Sequence, residues 1–307
     1  MLISGHVRAV LQAVLVTVLW SSSWVLIKEG LNDIPPLTFA GLRYVLAAAF
    51  LIPIAIRRSG LAAVRQITQH DWGYLAIFGI VQYTLTQGAQ FLSLAYLPAT
   101  TASLLLAFTP ALVALLGIVI LQEQLTRIQW AGVIFFLAGA LIYFGPVRLS
   151  EGEQYGLLIG ALGVLANAAQ QLLGRHINRD QMLSALPVTA ISMTFGSVIL
   201  LSAGIASEGF PTIALKSWAI ITWLAVINTA FGFWLWNHTQ RSLLAVESSV
   251  INNTMLIQIA LLAWIYLGER PTLVQLTGIG LAFLGALVVQ IVGAQNARRR
   301  STSGRSL

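Results

Sequence analysis

The chain states one stretch twice, 146 residues apart. Leu121-Gln-Glu123-Gln-Leu-Thr126-Arg-Ile-Gln129-Trp-Ala-Gly132-Val-Ile-Phe-Phe-Leu-Ala-Gly139-Ala140-Leu141 returns as Leu267-Gly-Glu269-Arg-Pro-Thr272-Leu-Val-Gln275-Leu-Thr-Gly278-Ile-Gly-Leu-Ala-Phe-Leu-Gly285-Ala286-Leu287, with eight of 21 positions identical and no gap. Matched Leu and Ala carry little weight in so apolar a chain. Matched Glu, Thr, Gln and two Gly carry more. Each copy sets a charged turn before a long apolar stretch, so the two halves should share one fold.

That fold is not one for water. Apolar residues make up 57% of the 307 and charged residues 9%, against about a quarter charged in soluble domains. A bilayer core takes about 20 apolar residues per helix. The sequence predicts spans near 9–27, 36–56, 72–94, 98–121, 128–146, 155–174, 184–204, 216–239, 243–267 and 272–293, with breaks at Pro35-Pro36, Arg57-Arg58-Ser59-Gly60, Pro98, Gly145-Pro146, Gly209-Phe-Pro211 and Glu269-Arg270-Pro271. The apolar start runs on to Ile27, which reads as a first span and not as a signal peptide. The expected fold class is an all-α polytopic membrane protein of ten transmembrane helices. It divides into a first five-helix repeat (9–146), a linker (147–154), a second five-helix repeat (155–293) and a basic tail (294–307).

Lys and Arg set the direction. With the N-terminus inside, twelve fall on the cytoplasmic side: Arg8, Arg57, Arg58, Arg65, Arg127, Arg175, Arg179, Arg241, Arg298, Arg299, Arg300 and Arg305. Lys28, Arg148, Lys216 and Arg270 fall outside, and Arg43 lies within a span. Both termini are therefore expected in the cytoplasm. An odd number of spans per half makes the halves inverted repeats, the arrangement of carriers with a midplane site between repeats. The net charge of +7 sits in short loops and the tail, not on a folded basic face, so nucleic acid is not an expected partner. The expected partners are a small-molecule substrate and the lipid bilayer. There is no cysteine, and His6, His70, His176 and His238 lie at span ends or in loops without a carboxylate cluster. No metal or other cofactor is expected, and no catalytic motif argues for an enzyme.

Polar side chains within spans mark the candidate site, because hydrocarbon makes them costly. Tyr83, Thr86, Gln87 and Gln90 fall on one face of an α-helix; so do Thr17, Trp20, Ser21 and Trp24. Ser103, Asn167, Gln170, Asn228, Trp234, Ser249 and Asn252 extend the set. Together they suggest a neutral cavity with amide, hydroxyl and indole walls, suited to a small zwitterion or an aromatic ring. The alternative is interhelical hydrogen bonding at about 0.6 kcal/mol each. Arg43, the one fixed charge well inside a span, sits roughly 10 Å deep at 1.5 Å per residue. It would either grip a substrate carboxylate in two places, or snorkel outward or bond helix carbonyls. Pro110 should kink the fourth span and is a candidate hinge; its repeat counterpart is Leu256. Gly132, Gly139, Gly278 and Gly285 serve either helix packing or a dimer face, so the chain is expected as a monomer or homodimer. Trp72, Tyr74, Trp130, Tyr143, Tyr155, Trp218 and Tyr266 read as interface belts.

Ten spans in two halves, Trp20-Ser-Ser-Ser-Trp24 in the first span and Leu267-Gly-Glu-Arg-Pro271 after the ninth resemble the drug/metabolite transporter superfamily, and within it the EamA-type ten-helix exporters. The chain also resembles the YddG-type aromatic amino-acid exporters. The resemblance implies a secondary transporter in the bacterial inner membrane, exporting small neutral metabolites, foremost amino acids with aromatic or other apolar side chains, by alternating access. Export of lipophilic drugs or nucleosides on the same fold is the alternative. One departure bears on this. The small multidrug-resistance branch carries a Glu in the first span, and none stands here, which weakens proton-coupled export of cationic drugs.

Overall fold

A segment in hydrocarbon must satisfy its backbone groups within itself, which favours helices. In the computed structural model, which describes residues 5–65, 67–113, 116, 126–145, 150–179, 185–239, 242–243 and 245–303, every regular element is helical. In chain order these are α1 (Gly5–Gly30), α2 (Pro36–Arg65), α3 (Gln69–Gly79), α4 (Gly88–Tyr96), α5 (Ala99–Leu106), α6 (Arg127–Phe144), α7 (Glu151–Arg179), α8 (Ala185–Glu208), α9 (Leu215–Trp223), α10 (Gly232–Thr239), α11 (Ala245–Asn253), α12 (Met255–Leu267) and α13 (Leu273–Ser303). Two π-helical segments join α-helices end to end: Ile80–Gln87 between α3 and α4, and Leu224–Phe231 between α9 and α10. Eight helices are long and apolar enough to cross a bilayer, and Ala99–Val113 is a shorter apolar one. The run from α3 to α4 is not among the eight, because Gln82, Thr84, Thr86, Gln87 and Gln90 make its middle too polar.

The repeated stretch now has a physical reading. Thr126 and Gln129 form a capping box at the start of α6. Thr272 and Gln275 bond reciprocally at the start of α13, Thr272 N–H to Gln275 Oε1 at 2.8 Å and Gln275 N–H to Thr272 Oγ1 at 3.2 Å. Such a box satisfies helix donors that otherwise have no partner. The repeated glycines bring α6 and α13 into backbone contact. A Cβ on Gly285 would lie 2.5 Å from the Gly132 carbonyl oxygen, and one on Gly278 would lie 2.7 Å from that of Gly139. These faces are thus occupied within the chain and are not a dimer face. Glu123, the partner of Glu269 in the repeat, lies outside the described residues.

The chain forms two compact units that cut across the sequence halves. One comprises Met1–Val25, Ala99–Leu149 and Trp234–Leu307. It is built on the α6–α13 pair, with Leu104, Phe136 and Ala282 in its core. The other comprises Leu26–Pro98 and Ser150–Phe233. It is built on α2 and α8, where a Cβ on Gly41 would meet Leu201 Cα at 2.5 Å and one on Gly204 would meet Thr38 N at 2.5 Å. Each unit draws on both halves because equivalent helices of the two repeats pair with each other through glycines.

Two readings of single residues change. Tyr143 is not an interface-belt residue: it is 3% exposed, and its hydroxyl shares a 2.8 Å hydrogen bond with Thr101. Pro110 does interrupt its helix, but the break at 107–108 has a counterpart without proline. At Thr254, between α11 and α12, the hydroxyl and the N–H both donate to Ile251 O, at 2.6 and 3.1 Å. A threonine hydroxyl competing for a backbone carbonyl bends a helix there as proline does in the first half.

Candidate functional site

In the unit that contains α2, the site starts from a helix terminus. Pro36 opens α2, as proline favours at a first helical position. The Glu208 carboxylate accepts from Leu37 N–H at 3.2 Å and Thr38 N–H at 2.9 Å. That end is thereby fixed, and Arg43 follows little more than a turn later. Arg43 is 6% exposed, and its Nε donates to Thr229 Oγ1 at 3.1 Å. Its cation lies over the Tyr44 ring at 5.1 Å and the Phe91 ring at 5.9 Å. Among the described residues no carboxylate pairs with Arg43, and its Nη groups have no hydrogen-bond partner. The buried side chain thus bonds across to Thr229 rather than lying free along its own helix.

Tyr44 reaches the other way. Its hydroxyl donates to Gln87 Oε1 at 2.6 Å, and its ring lies 5.4 Å from that of buried Tyr83. Phe39 meets Phe91 edge-on at 5.3 Å. Arg43 and Tyr44, adjacent on α2, therefore contact both π-helical segments, one through Thr229 and the other through Tyr83 and Gln87. A π-segment widens the turn, and such segments are frequent at functional sites. In each, a threonine hydroxyl donates five residues back at 2.8 Å: Thr86 to Val81 O, and Thr229 to Leu224 O. Gln90 on α4 and Asn167 and Gln170 on α7 are half-buried, while Asn228 is fully buried beside Thr229. Helix α7 packs along the first π-segment and α4.

The remaining candidates lie in the other unit. Ser21 donates to Gln258 Oε1 at 2.9 Å, and Gln258 Nε2 donates to Thr254 Oγ1 at 2.9 Å and to Thr17 Oγ1 at 3.2 Å. This network ties α1 to α12. Ser103 donates to Thr100 O, one turn back. Trp20 tilts against Trp236 at 5.3 Å, Trp24 is buried, and half-exposed Trp234 stacks on His238 at 6.0 Å. Asn252 is exposed; its neighbour Asn253 donates to Phe283 O at 3.1 Å. The Ser249 side chain lies outside the described residues.

Sequence reasoning passed over Tyr44, Phe91 and Thr229. The available signal was adjacency, since Tyr44 follows the one cation within a span and Thr229 follows Asn228.

These helices and buried polar groups define a multi-pass membrane protein of the transporter class. A sequence model of the EamA-like transporter family matches residues 7–145 and again 154–291. The chain belongs to that family and carries two copies of its domain. It is 29% identical over 97% of its length to a probable terminal-alkyne amino-acid exporter of Streptantibioticus cattleyicolor, covering 98% of that protein. It is 26% identical over 95% to a probable amino-acid metabolite efflux pump of Salmonella typhimurium, covering 97%. It is 25% identical over 88% to an S-adenosylmethionine/S-adenosylhomocysteine transporter of Chlamydia trachomatis, covering 85%. One solved crystal structure shares the fold, with a TM-score of 0.68 at 19% identity over 93% of this chain and 98% of that one.

Proposed function

We propose that the protein is a secondary transporter of the bacterial inner membrane that exports amino acids with aromatic or other apolar side chains by alternating access. The carrying observation is Arg43: a buried guanidinium with no acidic partner among the described residues, its Nη groups without a bond, and the two aromatic rings of Tyr44 and Phe91 beside it. A buried charge without a counter-ion is costly, and a substrate carboxylate would supply one when bound. Tyr44, Tyr83 and Phe91 offer apolar faces to the substrate side chain, and Gln87, Gln90, Asn167, Gln170 and Asn228 offer amides to its ammonium group. Two of the relatives are named as a probable terminal-alkyne amino-acid exporter and a probable amino-acid metabolite efflux pump, which supports the same class here. Ten spans with both termini in the cytoplasm complete the proposal, resting on the Lys and Arg count.

The test is transport by purified protein in liposomes loaded with labelled phenylalanine, tryptophan or leucine. Efflux above that of empty liposomes is expected. Arg43→Gln should raise the half-saturating concentration about tenfold or more, the worth of one hydrogen bond to a charged group. Folded protein that moves no amino acid of a broad panel rules the proposal out, and movement of lipophilic drugs or nucleosides alone favours the alternative cargo. An unchanged half-saturation in Arg43→Gln rejects the carboxylate role.

A further inference from the structure

The guanidinium of Arg43 carries five N–H donors, and among the described residues Nε–H is the one with a partner. Aromatic rings stand against the cation, with Tyr44 at 5.1 Å and Phe91 at 5.9 Å. The Nε edge is taken by Thr229 at 3.1 Å. What remains is the end-on edge, where the two Nη groups present parallel N–H bonds. That edge matches the two oxygens of a carboxylate, whereas a lysine ammonium in its place would offer only a point charge.

Thr229 controls which edge is left. A hydroxyl has one proton and two lone pairs. The Thr229 proton goes to Leu224 O at 2.8 Å, so towards Arg43 its oxygen can only accept. The acceptor stands five residues back, a spacing belonging to the π-helical segment; in an α-helix a threonine hydroxyl turns to the carbonyl three or four residues back. The wider turn thus aims the oxygen at Nε. Nothing else polar holds the guanidinium among the described residues. Without Thr229 the side chain keeps its charge but can rotate about its last bonds.

We infer that Thr229 is a positioning residue for substrate: by holding Nε it fixes the Arg43 plane, so that a single carboxylate binds end-on through both Nη groups. This rests on the reading of Arg43 as the carboxylate site. It restricts the substrate class to monocarboxylates at this position, because among the described residues Arg43 is the one cation placed at the Tyr44 and Phe91 rings.

The test is a double-mutant cycle on phenylalanine efflux from liposomes, with thermal unfolding in detergent to establish folding. Thr229→Val keeps the volume and removes the acceptor; it should raise the half-saturating concentration three- to tenfold and leave the maximal rate within twofold. Thr229→Ser keeps the hydroxyl and should restore wild-type values. In the Arg43→Gln background, Thr229→Val should add nothing, since positioning acts through Arg43. A Thr229→Val effect of equal size in that background, or one that Thr229→Ser does not rescue, overturns the inference in favour of a packing role. No effect of Thr229→Val where Arg43→Gln has one also overturns it and leaves the carboxylate site standing. No effect of Arg43→Gln overturns both.

Discussion

Glu208 and Glu269 do equivalent work in the two units. Glu208 receives the first N–H groups of α2. Glu269 receives Ala99 N–H at 2.6 Å, Thr100 N–H at 3.1 Å and the Thr100 hydroxyl at 2.7 Å at the start of α5. Helix N-termini carry unsatisfied donors and partial positive charge, and a carboxylate answers both. Replacing either with Ala should cost about 1–2 kcal/mol, read as a lower unfolding midpoint in detergent, with Gln intermediate because it keeps an acceptor without the charge. An unshifted midpoint for both would mean the bonds are exchanged for water at no cost. The Glu in the repeated stretch was legible as important, and its task was not, because its partners stand some 170 residues away in sequence. The same holds for Arg43. Its chemistry was plain from one charge among apolar neighbours, but Thr229 is 186 residues distant and one of many threonines.

At the level of elements, the sequence pattern found the helices and missed their irregularities. The alignment of Tyr83, Thr86, Gln87 and Gln90 on one face assumed 3.6 residues per turn. The π-segment over Ile80–Gln87 changes that period, so Thr86 turns back to Val81 while Tyr83 and Gln87 both meet Tyr44. A π-turn leaves no mark in composition; it persists because the helices on either side are pinned by their own contacts. Glycines were more legible, though not what each one meets. Gly139→Val must push into the backbone of α13, where Gly278 O and Ala282 lie against it. It should destabilise by about 3 kcal/mol, the upper range for overpacking, or prevent folding, seen as lost monodisperse protein on size exclusion. Gly280, in the same helix α13, has nothing within 4 Å of an added Cβ. Gly280→Ala should therefore fold normally and shift stability by no more than about 1 kcal/mol. Equal tolerance of both substitutions would contradict the α6–α13 contact.

At the scale of the molecule, the proposed orientation is directly testable, because the chain contains no native cysteine. With N- and C-termini inside, Ser150→Cys should react with a membrane-impermeant maleimide added to cells whose outer barrier is opened. Ser242→Cys should react only after lysis. The reverse pattern would invert the topology, and labelling of both from outside would break the ten-span count. Composition and pattern alone settle the solvent, the helical class, the doubling and the family, since each depends on local physics: too few polar groups to face water, runs of apolar residues long enough to cross a bilayer, and a stretch that repeats without a gap. Packing decided the rest. The sequence divides at 147–154, whereas the contacts divide into two interleaved units, because equivalent helices of the two repeats approach closest through glycine. The sequence marked Arg43 as a candidate carboxylate site, but only the fold brought two widened helical turns to α2, one holding Nε and the other holding its tyrosine neighbour. Hydrogen bonds act over about 3 Å, and no spacing along the chain reveals which distant residues will come that near.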